Sequence, residues 1–421
     1  MKKVLIVAYY FGTRIPGLVK YLPEFGWEPI LLTISLRHDE RPHHDIRVIE
    51  TPYRDALASL KKLFGYDLNK DIKEQIKERF GVASSKLLVE FILTRIGEIV
   101  NYPDGDRGWK PFAVEAGDKL LQKNGIDAII SSSSPVTSHL VAKELKNRYG
   151  IPWVADFRDL WSQNHNYAYS PLRRALDRRL ELKTVSAADA LVTVSQPWAD
   201  KLSMLHKGKL TYAINNGFDP ETVNVSSEKV TDKFTITYTG NIYARKHDPV
   251  KLFVALSHLI SDGVVDPNNI EVRFYGMVAG WLEKEIEQYG LSSIVNLYGR
   301  VPKDVALQKQ RESQLLFITK WKDPQDRGAY SGKIFEYLAA KRPILAIDGT
   351  DDVVKQLLDE TKAGIDAQTI QDIKDALQKL YQNYKLRGEI AYNGIDSEIN
   401  KYNHREMTQK FSEVLGRLIP E

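Results

Sequence analysis

Cysteine is absent from the 421 residues, which excludes disulfides, thiolate-ligated zinc and a cysteine nucleophile. No apolar run approaches the ~20 residues that a helix needs to cross a bilayer. The opening MKKVLIVAYYFG sets two lysines before an apolar stretch. That stretch is too short for a signal peptide and lacks a small-residue cleavage site, so it reads as a first β-strand. The signatures of several large enzyme classes are missing as well: GxSxG, Walker A, HExxH and GxGxxG. Without the last of these, no nicotinamide or flavin cofactor is expected. His38, His43 and His44 share a polar loop without a carboxylate cluster, so no metal centre is expected either. A formal charge of +4 falls short of a nucleic-acid binder. It suits anionic substrates or an anionic membrane surface.

What is present is ordinary globular composition, 43% hydrophobic and 27% charged. The length exceeds what one core supports and implies at least two domains. β-branched and aromatic runs at 4–10, 29–33, 47–51, 128–132, 153–157, 191–195 and 212–215 alternate with helical patterns. A second series follows at 235–240, 271–276, 295–298, 315–319, 343–347 and, more weakly, 364–366. Near-continuous apolar strands alternating with helices predict parallel sheets covered on both faces, hence an α/β chain of two doubly wound domains. The Ser-, Thr- and Asn-rich stretch 216–233 reads as the linker. Residues 55–100 interrupt the alternation with basic, amphipathic helical pattern, and LRRALDRRLELK at 172–183 has the same character. Both suit either an exposed helix packed on its own domain or an anionic membrane surface.

Five stretches carry candidate chemistry. In SGKIFEYLAAKRPILAI (331–347), Ile334, Phe335, Leu338 and Ala339 form one helix face, and Lys333 and Glu336 project from the other. Ser331 and Gly332 open that helix, where free N–H groups and the positive dipole end suit a phosphate. Glu336 is then either a carboxylate facing a bulky ligand or half of a surface Lys–Glu pair. In TGNIYARKHDP (239–249), Gly240 and Asn241 end a strand, and Arg245 and Lys246 are either diphosphate ligands or solvated loop charges. IPWVADFRDLWS (151–162) brings Asp156, Arg158 and Asp159 to a strand end, as a site or a self-satisfied charge cluster. SSSSPVTSHLVAKEL (131–145) places His139 in the first turn of a helix that Thr137 or Ser138 could cap. Gly12, Arg14 and Gly17 follow the first strand, shaping either an acceptor site or an ordinary turn.

In order and spacing these stretches, with AADALVTVSQPWADKL, INNGFDP and VNLYGRVPKDVA, resemble the retaining glycosyltransferases of family 4, especially the branch that builds surface polysaccharides. The resemblance covers nearly the whole chain. It implies a GT-B fold of two Rossmann-like doubly wound domains facing a central cleft, with an acceptor-binding domain at 1–216 and a donor-binding domain at 217–400. The helix in 401–421 would cross back to the first domain. A nucleotide-sugar of the UDP or GDP type would donate to a glycan or lipid-linked acceptor without a cofactor or metal. The place of action would be the cytoplasm, with peripheral association at the inner membrane face. By position, Glu336 resembles the carboxylate that binds the donor ribose, and Lys246 the phosphate-binding lysine. Arg245 stands in for the arginine that is Asn241 here. Ser331, Gly332, Lys333 and Gly240 complete the donor side. Arg158 and Asp156 fall on the catalytic side, and Gly12, Arg14, His139 and Asp159 on the acceptor side. Two departures stand out. Gly328 occupies the place of the first Glu in the family's Glu-x7-Glu pair, with Asp326 or backbone groups as substitutes. Arg158 occupies the place of the usual active-site His, and an arginine cannot serve as a base. Two other readings remain open, a nucleotide-sugar epimerase of the same fold and a degenerate, non-catalytic scaffold.

Overall fold

The computed structural model describes residues 1–12, 14–36, 46–54, 95, 98–99, 101–164, 166–167, 169–223, 229–242, 248–278, 280–323, 325, 327–350 and 352–419. The chain divides into two compact units, Met1–Ile214 with Thr408–Glu421, and Asn215–Met407.

Unit 1 is built on a parallel sheet of order β3-β2-β1-β4-β5-β6-β7. Its strands are β1 (Lys2–Ala8), β2 (Trp27–Ile34), β3 (Arg47–Thr51), β4 (Ala128–Ser133), β5 (Trp153–Phe157), β6 (Ala190–Thr193) and β7 (Leu210–Ala213). Its helices are α1 (Arg14–Tyr21), α2 (Lys110–Asn124), α3 (Thr137–Tyr149), α4 (Pro171–Val185) and α5 (Gln196–Leu205). Central β1 pairs Ile6 with Leu31 on one side and with Ile130 on the other. Val4 to Val7 are wholly buried, because helices cover both faces of a parallel sheet and leave no side of the strand for polar residues. The order reverses between β1 and β4, so unit 1 has its topological switch point there.

Unit 2 repeats the plan with order β10-β9-β8-β11-β12-β13 and a switch point between β8 and β11. The strands are β8 (Phe234–Thr239), β9 (Ile270–Tyr275), β10 (Val295–Gly299), β11 (Leu315–Thr319), β12 (Ile344–Ile347) and β13 (Gly364–Ala367). The helices are α6 (Val250–Ser261), α7 (Trp281–Gln288), α8 (Lys303–Arg311), α9 (Lys333–Ala340), α10 (Val353–Thr361), α11 (Ile370–Arg387), α12 (Asp396–Ile399) and α13 (His404–Leu418), the last continuing into unit 1 from Thr408. Two cores sandwich this sheet. Leu252, Phe253 and Leu256 of α6 and Ile373 and Leu377 of α11 pack with Phe234, Ile236 and Phe317. On the other face Ile334, Phe335 and Leu338 of α9 and Leu357 of α10 pack with Leu316, Ile318 and Ile344. Thr369 and Asp372 form a reciprocal capping box on α11, and Asp352 caps α10.

Every strand expected from the sequence is present, with ends within two residues of those expected. The largest shifts, two residues at each end, are in β7 and in β1, which begins at Lys2, where the Lys2 N–H donates to Gly26 O, and stops before Tyr9. The expected insertion at 55–100 lies almost entirely outside the described residues.

Candidate active site

The carboxyl edge of the unit 2 sheet is closed by glycines. Gly240, Gly276 and Gly299 follow β8, follow β9 and end β10, with φ of 121°, 135° and 70°, a region that glycine enters readily and other residues rarely. They interlock the strand ends: the Gly240 N–H donates to Tyr275 O at 2.6 Å and the Gly276 N–H to Gly299 O at 2.7 Å. A Cβ on Gly276 would run into Gly240 O, and one on Gly240 into the Lys333 side chain. Lys333 therefore lies across the end of β8, its ammonium 5.3 Å from the centre of the Tyr238 ring. Burial pulls its pKa below the usual lysine value, and Glu336 partly offsets this. The start of α9 carries no side-chain cap, and the space in front of Gly332 is open. Ser331 O accepts from Ile334 N at 3.1 Å. A helix start of this kind presents N–H groups and a positive dipole end to an anion.

Glu336 is half-buried and sits beside this helix start. Gln310 of α8 donates from Nε2 to Glu336 Oε2 at 3.3 Å and to Thr239 Oγ1 at 2.8 Å. Lys303 reaches Oε1 only at 3.9 Å, from an exposed position. Next to Glu336, the wholly buried Tyr337 hydroxyl accepts the Thr239 N–H at 3.0 Å and fixes α9 to the strand end. Asn241 is part of the frame, since its Oδ1 accepts the Met277 N–H at 2.9 Å. Arg245, Lys246 and Asp326 lie outside the described residues.

Sequence reasoning missed two features of this edge. Gln310 is wholly buried, and its Oε1 has no hydrogen-bond partner among the described residues. The second is a chain of charges at the ends of β11, β12 and β13. Buried Lys320 contacts Asp366 at 2.6 Å and Asp352 at 3.4 Å, while Lys322 bridges Asp248 at 3.1 Å and Asp348 at 3.4 Å. Lys251 holds the other oxygen of Asp348 at 2.6 Å. Lysines directly after an apolar strand, as in FITKWKD, were the available signal.

In unit 1, three expected site residues are enclosed. Arg14 and Asp156 are wholly buried and form an ion pair, with Arg14 also donating to Ile214 O and Ser132 Oγ donating to the other Asp156 oxygen at 2.7 Å. His139 is wholly buried between Phe157 and Trp153, its Nδ1 2.7 Å from Ser131 Oγ. Burial lowers its pKa to about 3, with a smaller contribution from His206, so the ring is neutral at ordinary pH. The expectation that Arg14, Asp156 and His139 meet a substrate gives way to a structural role, because each is sealed beneath the sheet end. Arg158 and Asp159, just past β5, differ: Arg158 is half-buried and Asp159 exposed. Arg158 donates from Nε to Ser133 O and from Nη2 to Ser134 O, both at 2.8 Å. A Cβ on Gly12 would collide with its guanidinium. The structure thus brings Gly12 and Arg158 together at the switch point.

A profile described as Glycosyltransferase Family 4 matches residues 12–222. No curated protein matches the chain in sequence. Among solved structures, Anabaena Alr3699/HepE in complex with UDP and glucose superposes with a TM-score of 0.65 at 14% identity, covering 99% of this chain and 100% of that one. Sucrose-phosphate synthase from Thermosynechococcus elongatus gives 0.64 at 12% identity, with 99% of each chain covered. A glycosyltransferase from Rickettsia africae gives 0.61 at 14% identity, covering 99% of this chain and 98% of that one. The two doubly wound units are the GT-B architecture.

Proposed function

Because the chain belongs to glycosyltransferase family 4, we propose that it moves a sugar from a nucleoside-diphosphate donor to a glycan or lipid-linked acceptor. The transfer retains configuration, needs no metal and serves surface polysaccharide or glycolipid synthesis. The observation that carries this reading is the switch point of unit 2, where Lys333 lies across Gly240 beside half-buried Glu336 at the open start of α9. Glu336, held by Gln310, accepts both ribose hydroxyls. Lys333 and the N–H groups of Ser331–Lys333 receive the diphosphate. Arg245 and Lys246 keep the diphosphate-binding role that the family implies for them.

In the reaction the anomeric C–O bond to the β-phosphate breaks and a C–O bond to the acceptor oxygen forms on the same face. The acceptor proton passes to the departing phosphate oxygen, so no protein base is needed. Cationic and N–H donors aimed at that oxygen stabilise the charge that develops on it. On the acceptor side, Arg158 positions and stabilises charge, and Asp159 offers an exposed carboxylate. HepE was solved with UDP and glucose, which favours uridine as the first nucleotide to try.

Calorimetry of UDP, GDP and ADP against the protein and Glu336→Ala tests the reading. One nucleotide binds selectively and the variant weakens it. Absence of binding to all three refutes it. A product of inverted anomeric configuration, read from NMR coupling constants, would sink the retaining assignment alone.

Peripheral attachment to the inner face of an anionic membrane belongs to the same proposal. The acidic residues of α4 point inward: Asp177 pairs with buried Arg173 at 2.8 Å, and buried Glu181 lies 3.1 Å from His206. Its outward face keeps Arg174, Arg178, Arg179 and Lys183 beside the exposed Leu172 and Leu176. A sequence of mixed charge thus becomes a one-signed surface with apolar side chains, as interfacial helices require.

A further inference from the structure

The carboxyl edge of unit 1 carries an aromatic group that neither the ion pairs nor the core account for. Tyr10 and Tyr53 are 50% and 53% exposed. Both stand edge-on to buried Tyr9, with centroids at 4.7 Å and 82°, and 6.2 Å and 80°. Tyr9 in turn stands edge-on to wholly buried Trp109 at 5.3 Å. The pillar beneath is anchored, since Trp109 Nε1 donates to Thr51 Oγ1 at 2.7 Å. The backbone after β3 is fixed to the same support: the Arg54 N–H donates to Gly108 O at 3.4 Å, and a Cβ on Gly108 would strike the Arg54 carbonyl. Two exposed rings are thus held in set orientations at the end of β1 and just after β3.

A carboxylate lies within reach of these rings. Half-buried Asp106 is hydrogen-bonded by the buried Tyr9 hydroxyl, and the Tyr10 hydroxyl is 3.5 Å from its Oδ2. The neighbouring Asp104 is spent on the start of α3, accepting the Thr137 N–H at 2.8 Å and its hydroxyl at 2.7 Å. Asp106 makes no such cap.

We propose that Tyr10, Tyr53 and Asp106 form a saccharide subsite that takes an uncharged sugar ring of the acceptor. The apolar face of a pyranose stacks on a rigid phenol ring, which offers large contact area for little lost freedom. Its vicinal hydroxyls donate to the carboxylate, an acceptor with two oxygens. Other occupants fit less well. An alkyl chain would strip water from Asp106 without replacing its hydrogen bonds, and a phosphate or uronate would meet a like charge. The subsite begins two residues before Gly12, beside the switch point where Arg158 sits. The assignment rests on the reading of unit 1 as the acceptor side, and it names the chemical class recognised there.

Saturation-transfer NMR on the intact chain without nucleotide, with methyl glycosides of glucose, galactose, mannose and N-acetylglucosamine, tests this directly. At least one glycoside receives saturation, strongest on the C–H protons of one ring face. Tyr10→Ala and Tyr53→Ala each weaken it roughly tenfold, Tyr10→Phe keeps most of it, and Asp106→Asn reduces it. Near-UV circular dichroism and the unfolding midpoint of unit 1 are unchanged in the same variants, which separates loss of the subsite from loss of fold, and UDP calorimetry is unchanged because the proposed donor site lies in unit 2. Failure of UDP, GDP and ADP alike to bind in every form would instead count against the donor reading and leave the sugar result standing. The subsite is refuted if no glycoside is saturated, if the signal survives both alanine variants, or if a uronate or sugar phosphate binds better than the neutral rings.

Discussion

Gln310 separates a positioned carboxylate from a surface charge. Its Nε2 reaches Glu336 Oε2 at 3.3 Å, whereas among the described residues the other oxygen has the exposed Lys303 at 3.9 Å. In the proposed donor site, removing Glu336 deletes two charge-assisted hydrogen bonds to the ribose diol. With the side chain 31% exposed, these contribute about 2–3 kcal/mol together, or roughly 30- to 140-fold in Kd. Replacing Gln310 by Met keeps the volume and removes one neutral donor, so the carboxylate loses its aim at a cost of about 1 kcal/mol, roughly fivefold. The assay is calorimetry with UDP and with its 2′,3′-dideoxy analogue, which has no diol. In the native protein UDP outbinds the analogue by the larger factor, Glu336→Ala brings the two together, and Gln310→Met narrows the gap about fivefold. General damage to unit 2 would weaken both ligands alike, because both carry the diphosphate. The reasoning fails if Gln310→Met lowers both affinities equally, or if the ratio persists in Glu336→Ala.

Three further outcomes follow from the geometry. His139, neutral and buried with its pKa lowered to about 3, gives pH-dependent stability. The unfolded chain takes up a proton as pH falls below about 6.5 and the folded chain does not until about 3, so stability drops by about 1.4 kcal/mol per pH unit across that window. Urea titrations at several pH values should show a shallower slope for His139→Gln, and an unchanged slope would reject the buried neutral ring. Asp156→Ala leaves the Arg14 guanidinium without its counter-charge where both side chains are wholly enclosed, destabilising unit 1 by about 3–5 kcal/mol, while Arg14→Met with Asp156→Leu recovers most of it. Equal unfolding midpoints for the single and double variants would contradict the pairing. The protein should sediment with anionic vesicles at low salt and not with neutral ones, and charge reversal at Arg174, Arg178 and Arg179 should release it. Sedimentation unaffected by that reversal would remove α4 from the interface.

The fold was legible because parallel strands covered on both faces must be apolar throughout, so runs such as VLIV in β1 or LLFI in β11 stand out from any helical pattern. Glycines at the ends of β8, β9 and β10 marked where the backbone turns out of the sheet. The site was legible only as a place. Function gathers at carboxyl strand ends, and the sequence shows which charges lie near them, but not which charges meet. Arg14 and Asp156 are 142 residues apart and find each other inside the sheet. Gln310 and Glu336 are 26 apart, with β11 between them. Asp156 and Asp159 make the point most sharply. They belong to one short motif and carry the same carboxyl group, yet every residue of Trp153–Phe157 is buried, whereas Asp159 has left the strand and stands exposed. Whether a charge at a strand end is a tie or a tool is decided by a shift of two or three residues. A shift of a single residue places Tyr9 in the packing and Tyr10 in solvent. That is why the aromatic pair at Tyr10 and Tyr53, which no spacing rule singles out, emerges only when the ends of β1 and β3, on either side of β2, are seen together on one support.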